Sequence, residues 1–392
     1  MTRIAMMVQG PYETDPRVRR KAECLKDAGY AVDVIALQPP GRTAVPYEVG
    51  GVRVFGVPMA KKRATRARYI YEYGAFFLRA RAILRRLARE HAYAMVDVNT
   101  LPDFLVFAAR EARRKGARVV LDLHEMMPEF YRSKFGVGEN HWAISLIRWQ
   151  ERASFRFADH VLLIHEPMKD LFARRGLDVG KTTILVNSAD RRSAASPALQ
   201  PRPPGAAFLF TYHGTLTRLY GLDVAIAAFA RAQPRMPGAH FWIVGDGPER
   251  AKLEDRARSL GVDAFVRFTG TVPREEVDGW IGAGDAGVLP TRKDLYTELS
   301  FSNKLCEYVA LGKPVIAARL DTTRRFFSED ALTYFEPENP DDLARAMTEL
   351  YTDAALRARR SRRAAEEYVP IRWDVMRERY LALVARLCGP PT

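Results

Sequence analysis

Short apolar runs alternate with longer amphipathic stretches along the first half of the chain, with runs at 4–9, 32–37, 52–57, 95–98, 119–123, 161–164 and 183–186. Each has strand length and β-branched content, and the alternation predicts βαβ units around a parallel sheet. Segments 17–28 and 104–115 carry helical periodicity and end at Gly29 and Gly116, the residue type that closes a helix in the left-handed conformation. After a proline-rich stretch at 194–206 the alternation resumes, with runs at 208–212, 240–244, 266–268, 287–289, 315–317 and 332–335. A helical stripe follows Pro370, with Val375, Tyr380, Leu383 and Val384 on it. It fits a helix crossing back to the first half as well as an ordinary terminal core helix.

The expected organisation is therefore α/β with two Rossmann-like domains. They are 1–190, a linker at 191–206, 207–370, and a terminal helix at 371–392 that returns to the first domain. Two domains are also what 392 residues call for. Parallel-sheet domains of this kind bind ligands outside the carboxyl ends of their strands, and two of them are expected to face each other across a cleft.

Composition narrows the chemistry. Sixty-one Lys and Arg against 47 Asp and Glu give a net charge of +14, which points to an anionic partner. Cys24, Cys306 and Cys388 are too few and too scattered for a disulfide framework or a zinc site, so a reducing compartment is expected. The apolar run at 4–9 is too brief for a signal peptide and reads as a first strand. No run of 18 apolar residues is present, which argues against a membrane-spanning segment.

Three stretches carry candidate chemistry. In Phe210-Thr211-Tyr212-His213-Gly214-Thr215-Leu216-Thr217-Arg218 a strand runs into a glycine turn ahead of a helix, a geometry that exposes backbone N–H groups to phosphate. Arg218 is a diphosphate candidate there, with an ordinary solvated loop arginine as the alternative. Val244-Gly245-Asp246-Gly247 shares only Gly-x-Gly with the dinucleotide fingerprint, because Arg250 stands where the third glycine would be. That disfavours a nicotinamide dehydrogenase and leaves a structural turn open. The third is Ser302-Asn303-Lys304-Leu305-Cys306-Glu307-Tyr308-Val309-Ala310-Leu311-Gly312-Lys313-Pro314, read as a helix stopped by Gly312. Lys304 and Glu307 share one face and Leu305 and Val309 another.

Together with Asp15-Pro16-Arg17-Val18, Asp122-Leu123-His124-Glu125 and Asn187-Ser188-Ala189-Asp190, these motifs make the chain resemble glycosyltransferase family 4, the GT-B-fold retaining transferases, over nearly its full length. The resemblance implies a sugar moved from a nucleotide-diphospho-sugar to a lipid-linked, polysaccharide or other glycan acceptor, without a metal or other cofactor. It implies donor diphosphate at Gly10, Gly214, Arg218 and Lys304, and donor ribose and nucleotide at Glu307, Gly245 and Val272. The donor sugar would lie on the loop Leu299, Ser300, Phe301, Ser302 and Asn303. His124 would lie near the transferred sugar as the catalytic residue, with Asp15, Arg17 and Glu125 on the acceptor side.

The sequence departs from the family pattern in two places. Leu299 occupies the position of the first of two family glutamates, and Thr215 and Tyr220 replace the usual basic residues of the phosphate turn, for one of which Arg218 would substitute. A non-catalytic scaffold of the same fold or a sugar-nucleotide epimerase remain the alternatives.

Between Lys61 and Arg89 ten basic residues interleave with aromatics. A helix from Arg66 would align Ile70, Tyr73, Phe77, Leu84 and Leu87 on one apolar side. It suits an anionic membrane surface or core packing beneath a solvated arginine face; nucleic acid ranks last because no recognised module accompanies the charge. Charge and resemblance together lead to the expectation of a cytoplasmic enzyme held at the inner face of a membrane.

Overall fold

In the computed structural model the chain is described over residues 1–42, 45–59, 65–189 and 198–390. It divides into two compact units, Met1–Asn187 with Asp374–Thr392, and Ser188–Trp373.

The first unit is built on eight strands: β1 (Arg3–Pro11), β2 (Ala31–Leu37), β3 (Tyr47–Val49), β4 (Val52–Val57), β5 (Met95–Asn99), β6 (Arg118–Asp122), β7 (His160–Leu163) and β8 (Thr182–Ile184). Their order in the sheet is β3-β4-β2-β1-β5-β6-β7-β8. All pairings are parallel except β3 with β4. Helices cover both faces of the interior strands, so Ile4, Ala5, Met6 and Met7 are all fully buried, and β1 reads as a continuous apolar run instead of an alternating one. Strand order reverses between β1 and β5, which places a crevice at their carboxyl ends.

The helix Pro16–Asp27 starts where the Asp15 carboxylate accepts from the Arg17 and Val18 amides, with Pro16 in its first turn. It carries Lys21, which is 2% exposed, into the sheet. Lys21 Nζ donates to both carboxylate oxygens of Asp97 at 3.0 Å and also pairs with Asp122. Asp97 further accepts from Tyr380 Oη at 2.6 Å and Asn99 Nδ2 at 3.1 Å. Tyr380 lies on the terminal helix Trp373–Cys388, whose Arg379 donates to Ile184 O at 3.0 Å. The buried stripe of that helix runs through Met376, Tyr380, Leu383 and Val384, while Val375 is only half-buried.

Two helical readings need correction. Segment 104–115 is a 3-10 helix, Asp103–Ala109, followed by a short α-helix, Arg110–Arg114. The tighter winding eclipses residues three apart, which turns Leu105 and Ala108, and likewise Val106 and Ala109, inward together. In the helix Arg66–Glu90 the buried stripe is Tyr69, Tyr73, Phe76, Ala80, Leu84 and Leu87, whereas Ile70 is 74% exposed. Ile70 precedes Tyr73 by three residues but lies on the solvent side of that stripe. Arg79, Arg81, Arg85, Arg86 and Arg89 are exposed, while Lys61, Lys62 and Arg63 lie outside the described residues.

The second unit holds β9 (Phe208–His213), β10 (Ala239–Val244), β11 (Val266–Gly270), β12 (Ala286–Leu289), β13 (Val315–Ala318) and β14 (Thr333–Phe335) in the order β11-β10-β9-β12-β13-β14, all parallel. Phe208, Phe210, Phe229 and Phe241 fill its main core, and Trp242 meets Trp280 edge-on at 5.0 Å on the other face. The described end of the proline-rich stretch is tied to this unit: Gln200 N donates to Gly279 O at 3.3 Å, and Arg202 forms two hydrogen bonds with Asp285. Residues 190–197 lie outside the described residues.

Replacing Lys21 by Met strands Asp97 and Asp122 in the core without their cation. The expected loss is about 3–5 kcal/mol of stability, read as an earlier urea transition.

Candidate functional site

At the carboxyl ends of β9, β10 and β11 the second unit encloses a pocket of about 280 Å³, lined by His213, Gly214, Gly245, Thr271, Val272, Arg274 and Glu307 among others. Glu307 comes from the helix Asn303–Ala310, whose buried residues are Leu305, Cys306, Tyr308, Val309 and Ala310. Tyr308 sets the helix in place. Its hydroxyl donates to Thr211 O on β9 at 2.8 Å, and its ring lies so close to Gly287 of β12 that a Cβ there would be 2.6 Å away. The helix thereby turns Lys304 and Glu307 toward the β9 turn.

The Glu307 carboxylate is 19% exposed and accepts from His213 Nε2 at 2.6 Å through one oxygen and from Arg274 Nη2 at 3.0 Å through the other. Burial pushes its pKa up. The His213 hydrogen bond and the charges of His213, Arg274 and Lys304 outweigh that and bring it down from 4.5 to about 2. A carboxylate acceptor places the His213 proton on Nε2. Each Glu307 oxygen retains acceptor capacity beyond the one bond it already makes.

Lys304 Nζ stands 3.9 Å from the centre of the Tyr220 ring, a cation–π contact. The turn beneath it requires glycine. Gly214 has φ +127, and a Cβ on it would fall 2.3 Å from Lys304 Cε. Gly245, φ +138, comes so close to Gly214 O that a Cβ would sit 2.1 Å away. Ser302 makes no side-chain cap for the helix, which leaves its first N–H groups free of that partner.

Val272 and Gly245 line the pocket as their positions suggest. Arg218 does not: it is exposed in the 3-10 turn Arg218–Tyr220 and lines a separate hollow of about 430 Å³ with Asp223, Glu249, Lys252, Arg256 and Arg292. Leu299 ends the 3-10 turn Thr297–Leu299, and Phe301 is buried against Phe326, ring centres 4.1 Å apart. Ser300 and Ser302 are half-buried and Asn303 exposed. Glu298 takes the Asp321 amide at 3.2 Å and pairs with Lys293, which commits it to the loop instead of the pocket.

In the first unit a second cluster forms at the end of β6. His124 is buried. Its backbone N–H donates to Thr100 Oγ1 at 3.1 Å, its Nδ1 is 3.2 Å from Asn187 Nδ2, and its Nε2 is 3.1 Å from Asp122 Oδ2. Burial lowers its pKa and the charges of Arg17 and Lys21 lower it further, against the opposing pull of Asp122. The imidazole is therefore neutral near pH 7. Arg17 forms two hydrogen bonds with Asp15. Burial raises the Asp15 pKa, but Arg17, and to a lesser degree His124, bring it down to about 2. Gly10 is buried near the end of β1, and Glu125 is half-buried beside His124. Sequence reasoning missed His213, Arg274 and Lys21 as members of these clusters.

Two outcomes follow from this geometry. Gly287→Ala pushes the Tyr308 ring off β12 and displaces Glu307, and is expected to weaken binding of a nucleoside diphosphate at least about tenfold by calorimetry, the equivalent of one charged hydrogen bond. Because the Glu307 pKa is lowered on folding, its stabilisation is full above about 4.5 and is lost as pH falls toward about 2. The stability difference between wild type and Glu307→Gln, followed by urea unfolding, is expected to shrink across that window.

The sequence and the fold have counterparts among known proteins. Residues 14–188 match the glycosyl transferase 4-like domain and residues 207–353 the glycosyl transferases group 1 domain. Over 333 residues the chain is 22% identical to a phosphatidylinositol N-acetylglucosaminyltransferase subunit of Arabidopsis thaliana, covering 83% of this chain and 68% of that protein. It is 31% identical over 164 residues to the lipopolysaccharide core biosynthesis glycosyltransferase LpsD of Rhizobium meliloti, 42% of this chain and 45% of that one. The chain thus spans between about half and two thirds of the length of these relatives. Sucrose-phosphate synthase from Thermosynechococcus elongatus superimposes with a TM-score of 0.78 at 18% identity over 99% of both chains. Anabaena HepE in complex with UDP and glucose does so at 0.70 and 15%, over 98% of this chain and 100% of that one. With two domain models matched in order along its length, the chain belongs to the family 4 glycosyltransferases of GT-B fold.

Proposed function

We propose that the protein transfers a sugar from a nucleotide-diphospho-sugar to a glycan or lipid-linked acceptor with retention of anomeric configuration. The observation that carries this reading is Glu307, a carboxylate kept ionised at the carboxyl ends of the second sheet with Lys304 one helical turn away. Two acceptor oxygens suit the vicinal hydroxyls of a ribose. Lys304, the glycine turn at Gly214 and the first N–H groups of Asn303–Ala310 suit the diphosphate, whose charge grows as it leaves. That HepE was solved with UDP and glucose supports a nucleotide-sugar donor.

In this reading the acceptor hydroxyl attacks the anomeric carbon on the face from which the diphosphate departs. The bond to the phosphate oxygen breaks as the new one forms, and the hydroxyl proton passes to that oxygen. Lys304, backbone N–H groups and the helix dipole meet the charge, so no metal is called for. Neutral His124, held by Asn187 and Asp122, lies on the acceptor side with Asp15, Arg17 and Glu125. The backbone of Leu299–Asn303 holds the donor sugar. The lipopolysaccharide-core relatives favour an acceptor of the cell envelope.

Incubation with UDP-, GDP- and ADP-sugars, with and without a membrane extract, tests the proposal through nucleotide release. One donor is expected to turn over, and Glu307→Ala to lower kcat/KM by about 10- to 100-fold, the worth of hydrogen bonds to a charged group. Binding without turnover under every condition would favour a non-catalytic scaffold, and release unchanged in Glu307→Ala would refute the donor site.

A further inference from the structure

The helix Trp142–Phe157 of the first unit turns two tryptophans and a leucine to solvent. Its inner face is occupied by Ala143, Ile144, Ser154 and Phe155, with Glu151 buried among them and paired with Arg175. On the other side Trp142 is 72% exposed, Leu146 54% and Trp149 63%. Spaced at i, i+4 and i+7, they form one stripe along the helix, about 10 Å long at the helical rise.

The chain has five tryptophans, and the other three, Trp242, Trp280 and Trp373, are buried. Exposure of this residue type is therefore confined to one stripe.

The exposed charge that this helix itself carries on its outer side is basic, and Glu139, just before the helix, is taken up by Arg148 at 2.8 Å. Glu151 is the helix's only acidic residue and faces inward, whereas Arg152 and Arg156 are exposed and continue the outer side over the next two turns. The arginines alone would suit an acidic protein surface as well. Indole rings beside exposed arginines, on a chain carrying +14, instead match the boundary between lipid headgroups and acyl chains, where tryptophan is enriched and basic residues meet lipid phosphates. The helix Arg66–Glu90, the more obvious candidate by charge, has its main apolar stripe buried in the fold.

We infer that Trp142, Leu146 and Trp149 seat the protein on an anionic membrane surface, with Arg152 and Arg156 engaging the lipid phosphates. The inference goes beyond sugar transfer and does not depend on it, because its test reads binding and not turnover.

The full chain is mixed at low salt with vesicles of phosphatidylcholine and phosphatidylglycerol in equal parts, and with vesicles of phosphatidylcholine alone. Cosedimentation with the anionic vesicles, a blue shift of tryptophan emission and its quenching by brominated lipid are expected. The double variant Trp142→Ser/Trp149→Ser is expected to bind at least about tenfold more weakly and to lose both fluorescence changes. Arg152→Gln/Arg156→Gln is expected to bind the two vesicle types nearly alike. Thermal unfolding of each variant, unchanged because the residues are exposed, separates lost binding from lost fold.

The inference is overturned if vesicles leave the emission unmoved. It is equally overturned if binding survives loss of both tryptophans but disappears in Arg81→Gln/Arg85→Gln/Arg86→Gln. A wild-type dimer that the tryptophan variant dissociates, with vesicle binding unaffected, would make the stripe a contact between copies instead.

Discussion

A single carboxylate organises the second unit. Glu307 is largely withdrawn from water, which by itself favours its neutral form. It stays charged because His213 and Arg274 each donate to it and Lys304 stands nearby. Those partners are useful only if the helix that carries Glu307 keeps its angle to β9. Tyr308 secures that angle by filling the space a side chain at position 287 would take and by hydrogen bonding to Thr211 O. Packing and electrostatics are thus coupled through adjacent residues, 307 facing the pocket and 308 the core.

The first unit follows a related logic with the opposite charge at its centre. Lys21 is enclosed by two aspartates on neighbouring strands, and Tyr380 binds one of them from the terminal helix. The other, Asp122, stands beside His124. One network therefore fixes the terminal helix to the sheet and holds the imidazole in place. Breaking it would be felt both as lost stability and as a misplaced His124.

The strands were legible because parallel strands covered on both faces read as short unbroken apolar runs, and the helix Asn303–Ala310 because its pattern and its glycine stop agree. The partners of Glu307 were not. His213 lies 94 residues away in sequence and Arg274 33, and only the parallel register of β9, β10 and β11 brings them together. Lys21 was hidden for the same reason, its aspartates being 76 and 101 residues distant. Ile70 was misplaced because a periodic pattern in a long helix does not say which edge of the apolar stripe the sheet covers. Arg218 follows the strand-to-helix turn closely in sequence, yet the 3-10 turn it begins carries it to a different hollow. The exposed tryptophans had no signature at all, since an i, i+4, i+7 stripe looks the same whether it is buried or not.

A structure of the protein with a bound nucleoside diphosphate tests the central claim most directly. The account predicts ribose hydroxyls within hydrogen-bond distance of Glu307 and the diphosphate against Gly214 and Lys304, with Lys304 drawn off the Tyr220 ring. A nucleotide seated instead among Arg218, Lys252 and Arg256, with Glu307 still held only by His213 and Arg274, would contradict it.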